Sequence, residues 1–340
     1  MGVSQGKGIR MNQAARWLKI LGLCIALFAP AAAAQEGRGD VVYVPTPQVV
    51  VDAMLKMAKV GANDFVIDLG SGDGRIVITA AKKHGARGFG VDLDTYLLKM
   101  ANANAKKEGV TDRARFIEQN LFETDLSQAT VITSYLLPEM NEQLRPKILA
   151  LKPGTRVVAH DYAMGEWDPD DSDTLIVPEK TVGDPGKSYI FFWIVPARVA
   201  GHWESQIMAA GKPESWQFNF EQNFQLVHGT ARAGKREVKV PQFRMAGEQF
   251  AFKVEVPAAG KPRSNSTGQS NGASTTGKLE RGKPVTYQFR GWAKGDVIEG
   301  NVIVGDDSGQ RVMPWRARQT ARGEPNMGAA GAITVAGARR

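Results

Sequence analysis

The chain has 340 residues, 43 basic and 35 acidic side chains, a formal charge of +8 and one cysteine, Cys24. That length admits two domains. A single cysteine excludes a disulfide framework and a thiolate metal site, and His84, His160, His202 and His228 lack metal-ligand spacing, so no metal is expected.

The charge is unevenly placed. Residues 1–34 carry Lys7, Arg10, Arg16 and Lys19 with no acid, then an apolar run from Ile20 to Pro30 and the small residues Ala31–Ala34. This is the layout of an export signal, and it places the protein in the periplasm or anchored to a membrane and facing outward. The apolar run is shorter than the roughly 20 residues of a spanning helix. A polar linker follows. Thr46 is then placed to cap a helix with Pro47 at its first position, and Val50, Val51, Met54, Leu55 and Ala58 recur at helical spacing.

Strands are predicted near 64–69, 87–92, 114–119, 130–136 and 155–160, alternating with helices near 73–84, 95–108 and 138–151. This alternation predicts an α/β fold, a doubly wound and mostly parallel Rossmann-like sheet, over residues 41–196. Residues 165–178 are acidic without helical period and read as a solvated loop, and an apolar strand follows from Ser188 to Val195. From residue 199 the pattern changes to short period-two runs such as Trp216-Gln217-Phe218-Asn219-Phe220 and Phe250-Ala251-Phe252-Lys253-Val254. Residues 199–319 are therefore expected to form a smaller antiparallel all-β domain, a sandwich or small barrel, with a flexible loop at 258–279. Residues 320–340 read as a disordered tail. The part from 199 onward holds 20 basic and 12 acidic residues, which allows association with an anionic envelope surface.

The chemistry concentrates at Val66-Ile67-Asp68-Leu69-Gly70-Ser71-Gly72-Asp73-Gly74-Arg75, a buried strand ending in an acid and running into a glycine turn and a helix. Glycines let a ligand lie against the backbone. Arg75 stands where the last glycine of the nicotinamide pattern would be, so a dinucleotide fingerprint is not the reading. Asp92 ends the second strand twenty residues after Gly72, the separation that sets a carboxylate beside ribose hydroxyls. Asn120 follows the third strand and offers a carbonyl acceptor.

The D-x-G-x-G-x-G turn resembles that of class I, seven-strand S-adenosylmethionine (SAM) methyltransferases. With Tyr43-Val44-Pro45-Thr46 before it and Tyr135-Leu136-Leu137-Pro138 after the fourth strand, residues 41–196 resemble bacterial relatives of the mitochondrial lysine methyltransferases that modify the ATP synthase c-subunit and the adenine nucleotide translocase. The resemblance implies SAM as cofactor. It puts Asp68, Gly70, Ser71 and Gly72 at the methionine end, Asp92 at the ribose and Asn120 at the adenine, with Tyr43 and Thr46 closing over them. Tyr135 and Pro138 would flank the acceptor nitrogen, with Glu139 or Asp161 taking a proton. His160 and Asp161, adjacent on a strand, are expected to point to opposite faces. The implied reaction is N-methylation, on a protein lysine or on a small molecule or envelope lipid, with no nucleic acid partner. An exported binding protein that keeps the fold without turnover is the reading from a different class.

Overall fold

The computed structural model describes residues 42–209, 211–257, 284–306 and 309–328. The expected signal at 1–34, the loop at 258–279 and residues 329–340 lie outside the described residues.

The first sheet has seven strands in the order β3-β2-β1-β4-β5-β7-β6. Its centre is β1, Phe65–Leu69, whose last four residues are all buried. It pairs in parallel with β2, Arg87–Asp92, on one side and β4, Val131–Ser134, on the other. Beyond these lie β3, Ala114–Glu118, and β5, Arg156–His160, also parallel. The strand order therefore reverses between β1 and β4. In an open α/β sheet that is where connections diverge and leave a crevice at the carboxyl ends of the strands.

Four helices pack on this sheet among the described residues: α1, Gln48–Met57; α2, Arg75–His84; α3, Thr95–Lys107; and α4, Pro138–Leu149. Local chemistry sets their ends. α2 starts directly behind the left-handed Gly74 and stops at the left-handed Gly85, a conformation glycine adopts without a Cβ penalty. Asp94 caps α3 by accepting from Tyr96 N and Leu97 N. Pro138 opens α4, where a missing N–H costs nothing. α1 differs from the sequence expectation. Its cap position is Pro47 and no side chain caps it, because the Thr46 hydroxyl turns inward to His160 Nδ1, 3.3 Å away.

The acidic stretch also corrects the sequence reading. Asp171–Ile176 forms an edge strand, β6, antiparallel to β7, Lys187–Ile194, which itself runs antiparallel to β5. Nearly all of β6 is exposed, so it carries no apolar alternation to read. Asp170, immediately before its start, is held by protein partners. Asp170 Oδ2 accepts from Ile194 N at 2.8 Å, and its Oδ1 pairs with Arg244 at 2.6 Å.

The second sheet has eight antiparallel strands: β8, Gly201–Ala209; β9, Lys212–Asn223; β10, Leu226–Ala233; β11, Arg236–Arg244; β12, Gln249–Val256; β13, Val285–Lys294; β14, Val297–Asp306; and β15, Gly309–Arg322. Their order is β11-β10-β9-β8-β15-β14-β13-β12, a meander in which the last strand pairs with the first. The two edges, β11 and β12, lie side by side across a seam. Arg236 reaches the Pro257 carbonyl across it, and Ala246 and Gln249 bridge its turn. The result is a small barrel. Alternate residues point inward, and Trp203, Trp216, Phe218, Phe252, Phe289 and Trp315 form its aromatic core. β15 runs to Arg322, past the start of the expected tail at 320. Ala321 pairs with His202, and Thr320 Oγ1 donates to the His202 carbonyl. Met327 packs against the core of the first sheet.

The two sheets share polar and aromatic contacts. Trp167 Nε1 donates to Gln225 Oε1 at 3.0 Å, and Gln225 Nε2 donates to the Asp168 carbonyl at 2.7 Å. Phe224 stacks on Trp167 with centroids 6.3 Å apart.

Candidate active site

The crevice at the carboxyl ends of β1, β2, β4 and β5 gathers most of the residues singled out from the sequence. Gly70, Gly72 and Gly74 all have left-handed φ, at 77°, 52° and 81°. A Cβ on Gly72 would run into the Tyr43 ring, and one on Gly70 would meet Leu136 at 2.9 Å. The turn therefore needs glycine both for its backbone shape and for close approach. Asp92 ties it in place, since its Oδ2 accepts from Gly72 N at 2.9 Å and its Oδ1 from Asp94 N at 3.0 Å.

Asp68 is the electrostatic centre of this end. Its carboxyl is 2% exposed, and its one hydrogen-bond donor among the described side chains is Thr133 Oγ1 at 2.6 Å. Burial, opposed by that bond and aided by Asp92 and Asp73, pushes its pKa up to about 7. Ser71 Oγ is buried with no hydrogen-bond partner among the described residues. A buried acid without a cation, a buried hydroxyl without a partner and a turn without Cβ atoms fit a ligand that brings a positive charge and polar atoms close to backbone.

The segment 42–47 lies over the turn. Arg75 grips Asp73 through Nε and Nη2 and donates from Nη1 to the Thr46 carbonyl at 2.7 Å. Tyr43, beside them, has its pKa pushed up to about 12, first by burial and then by Asp73. The sequence reading missed Arg75 and Asp73 as the clamp on this strap. Their spacing of two residues in the turn was visible, but nothing in it named Thr46 as the third partner. Asn120 sits in the turn after β3, its Oδ1 accepting from Phe122 N at 2.9 Å. One lone pair of that oxygen is therefore committed, and one is left for a ligand.

The second cluster lies after β4 and β5. Tyr135 donates its hydroxyl proton to Asp161 Oδ2 at 3.0 Å, and its ring lies 4.0 Å from that of His160. Asp161 follows β5 with a left-handed φ of 62°. This breaks strand alternation and brings its Oδ1 to 3.3 Å from His160 Nε2, so the two do not face opposite sides as expected. His160 is fully buried between Thr46 and Ser188 Oγ at 3.0 Å. Burial lowers its pKa to about 4, against the pull of Asp161, so it is neutral at neutral pH. Lys180, absent from the sequence reading, closes the cluster with Nζ 2.8 Å from Asp161 Oδ2.

Pro138 begins α4 one turn beyond Tyr135. Glu139, the next residue, is exposed. No hydrogen bond or ion pair joins Glu139 to Tyr135 or Asp161 among the described residues. Of the two expected proton acceptors, Asp161 is at the cluster and Glu139 is not.

A mostly parallel seven-strand sheet with a glycine turn after β1, an acid ending β2 and a polar cluster after β4 and β5 defines a Rossmann-like methyltransferase. Comparison with known sequences agrees. A family profile described as the ANTKMT methyltransferase domain matches residues 68–171. A protein-lysine N-methyltransferase of Saccharolobus islandicus is 50% identical over 129 residues, covering 37% of this chain and 80% of that protein. The ATP synthase c-subunit lysine N-methyltransferase of Xenopus laevis is 33% identical over 153 residues, covering 44% of this chain and 67% of that protein. Among solved structures, an RNA methyltransferase from Salinibacter ruber in complex with S-adenosyl-L-homocysteine is 48% identical with a TM-score of 0.41, covering 46% of this chain and 96% of that one. The chain belongs to the family of methyltransferases with an ANTKMT methyltransferase domain, and SAM is its cofactor. The profile ends before the barrel begins.

Proposed function

We propose that the protein methylates the side-chain amine of a protein lysine. The observation that carries this reading is the Tyr135–Asp161 pair. Burial, then the Asp161 charge, pushes the Tyr135 pKa far above the usual tyrosine range, so the phenol keeps its proton and donates it in a hydrogen bond to Asp161 Oδ2. The phenol oxygen is left as an acceptor for an incoming N–H. An amine held there is oriented rather than chemically activated, and orientation alone is worth several kcal/mol in such a displacement. The Saccharolobus and Xenopus relatives, both lysine N-methyltransferases, support the same acceptor class.

Asp68, Gly70, Ser71 and Gly72 would hold the methionine end of SAM, Asp92 the ribose and Asn120 the adenine, with Tyr43 and Thr46 over them. SAM supplies a methyl group activated by a sulfonium. A neutral amine held on the Tyr135 oxygen would present its lone pair to that methyl group, with sulfur retaining the electrons of the bond that is given up. The proton would then leave the methylated nitrogen to water, because Asp161 Oδ2 is already engaged by Tyr135 and Lys180 and no hydrogen bond joins Glu139 to the cluster among the described residues. The layout of residues 1–34 supports export to the periplasm or the outer face of a membrane, and the basic composition from 199 onward supports contact with an anionic envelope.

Methyl-tritiated SAM and poly-L-lysine, followed by acid hydrolysis, test the reading. The expected product is methyl-lysine. Tyr135→Phe is expected to lower kcat about ten- to a hundredfold, the worth of one hydrogen bond in a dry site, without changing SAM affinity. Label recovered only in lipid or small molecules would overturn the lysine assignment.

A further inference from the structure

Among the described residues, Lys180 is the one buried cation beside the acceptor cluster that the proposed reaction does not use. It lies in the connection between β6 and β7 and its side chain is 4% exposed. All three of its N–H groups are engaged, by Asp161 Oδ2 at 2.8 Å, the Lys187 carbonyl at 2.5 Å and the Asp184 carbonyl at 3.2 Å. With no lone pair to offer, it is not itself a methyl acceptor. Its position matters because Asp161 Oδ2 is the same oxygen that holds Tyr135.

We propose that Lys180 is a positioning residue that cancels the charge of Asp161, so that an acceptor amine docked on Tyr135 binds in its neutral, nucleophilic form. The inference rests on the lysine-methyltransferase reading above. A naked buried carboxylate one hydrogen bond behind Tyr135 would favour an ammonium, since an opposite charge within about 4–6 Å raises an amine's pKa by about 1–3 units. An ammonium has no lone pair for the methyl carbon. With Lys180 in place the pair is neutral overall, and desolvation acts alone on the acceptor and favours its uncharged form.

The other groups facing the pair leave this balance to Lys180. From β5, His160 is neutral above about pH 4. From β4, Tyr135 stays protonated. From β7, Tyr189 N donates to Asp161 Oδ1 at 3.1 Å, while the Tyr189 hydroxyl is taken by Asp184 Oδ2 at 2.5 Å. The hydroxyl of Tyr162 lies near Gly183, beside the ammonium.

The test is the pH dependence of kcat on poly-L-lysine for the full chain, because kcat reports groups titrating in the bound complex. Three variants are compared: Lys180→Met, Lys180→Arg, and the double variant Asp161→Asn with Lys180→Met. SAM titration calorimetry and circular dichroism on each confirm a folded, cofactor-binding protein. In Lys180→Met the rising limb is expected to move about 1–3 pH units upward. Lys180→Arg should keep it near the wild-type position, and the double variant, with neither charge, should bring it back even if kcat is low. A Lys180→Met limb that stays in place would mean Lys180 only staples its loop, and the inference falls. If Lys180→Met fails to fold, a double variant whose limb lies well above wild type would overturn it equally. A wild-type protein that leaves poly-L-lysine unlabelled overturns the lysine reading itself, and this inference with it.

Discussion

Asp68 shows how one residue reports its missing partner. Its carboxyl titrates near 7 in the folded chain instead of near 3.8. Between those values the folded protein binds more protons than the unfolded one, so this residue makes the ligand-free protein less stable as pH rises from about 4 to 7. A cationic ligand reverses the preference by favouring the carboxylate. The affinity for SAM is therefore expected to tighten as pH rises from 5.5 through about 7 and then level off, by up to about tenfold per unit. Calorimetry on Asp68→Asn should give a weaker and nearly flat profile across the same range. A wild-type profile as flat as the variant's would remove Asp68 from the site.

At the scale of elements, the glycine turn and the strap over it form one construction. Gly72→Ala would put a methyl group into the Tyr43 ring at a φ of 52°. The expected cost is a few kcal/mol of local strain, and it should appear as a loss of SAM affinity of about a hundredfold or more while the circular dichroism spectrum is kept. Much of this element was legible in the sequence. Asp68, the glycines and Asp92 are a pattern because each must stand at a fixed offset from a strand end. Lys180 was not legible, because a lone lysine in a loop has no period and its partner Asp161 is nineteen positions earlier. The contact of Asp161 with His160 was hidden for another reason: strand alternation predicts opposite faces, and the left-handed turn at Asp161 cancels it. β6 was missed because an exposed edge strand has no buried face to impose alternation.

At the scale of the molecule, the barrel is fastened to the catalytic sheet through a few buried groups. Gln225 is 1% exposed and satisfies both the Trp167 indole and the Asp168 carbonyl. Gln225→Ala would leave both unpaired, at about 1–3 kcal/mol each. A fall in Tm of several degrees is expected in a thermal melt, with kcat at 25 °C little changed. Excising the barrel whole would also uncover Trp167, so a point variant is the cleaner probe of what the barrel contributes. The sequence foresaw an antiparallel β part but not this junction between barrel and first sheet, since Gln225 and Trp167 belong to no shared periodic pattern.

The pairing of β15 with β8 also sets an order of assembly. During synthesis β8 emerges early and carries a bare ladder edge until the final strand is made. Closure therefore joins segments far apart in the chain, a slow step by its topology. A nascent or clipped chain that stops short of Gly309 leaves β8 and β14 both open, two flat edges on an aromatic-rich sheet, and such edges recruit other chains. The last fourteen-residue strand thus acts as the latch that closes the barrel and covers both edges at once.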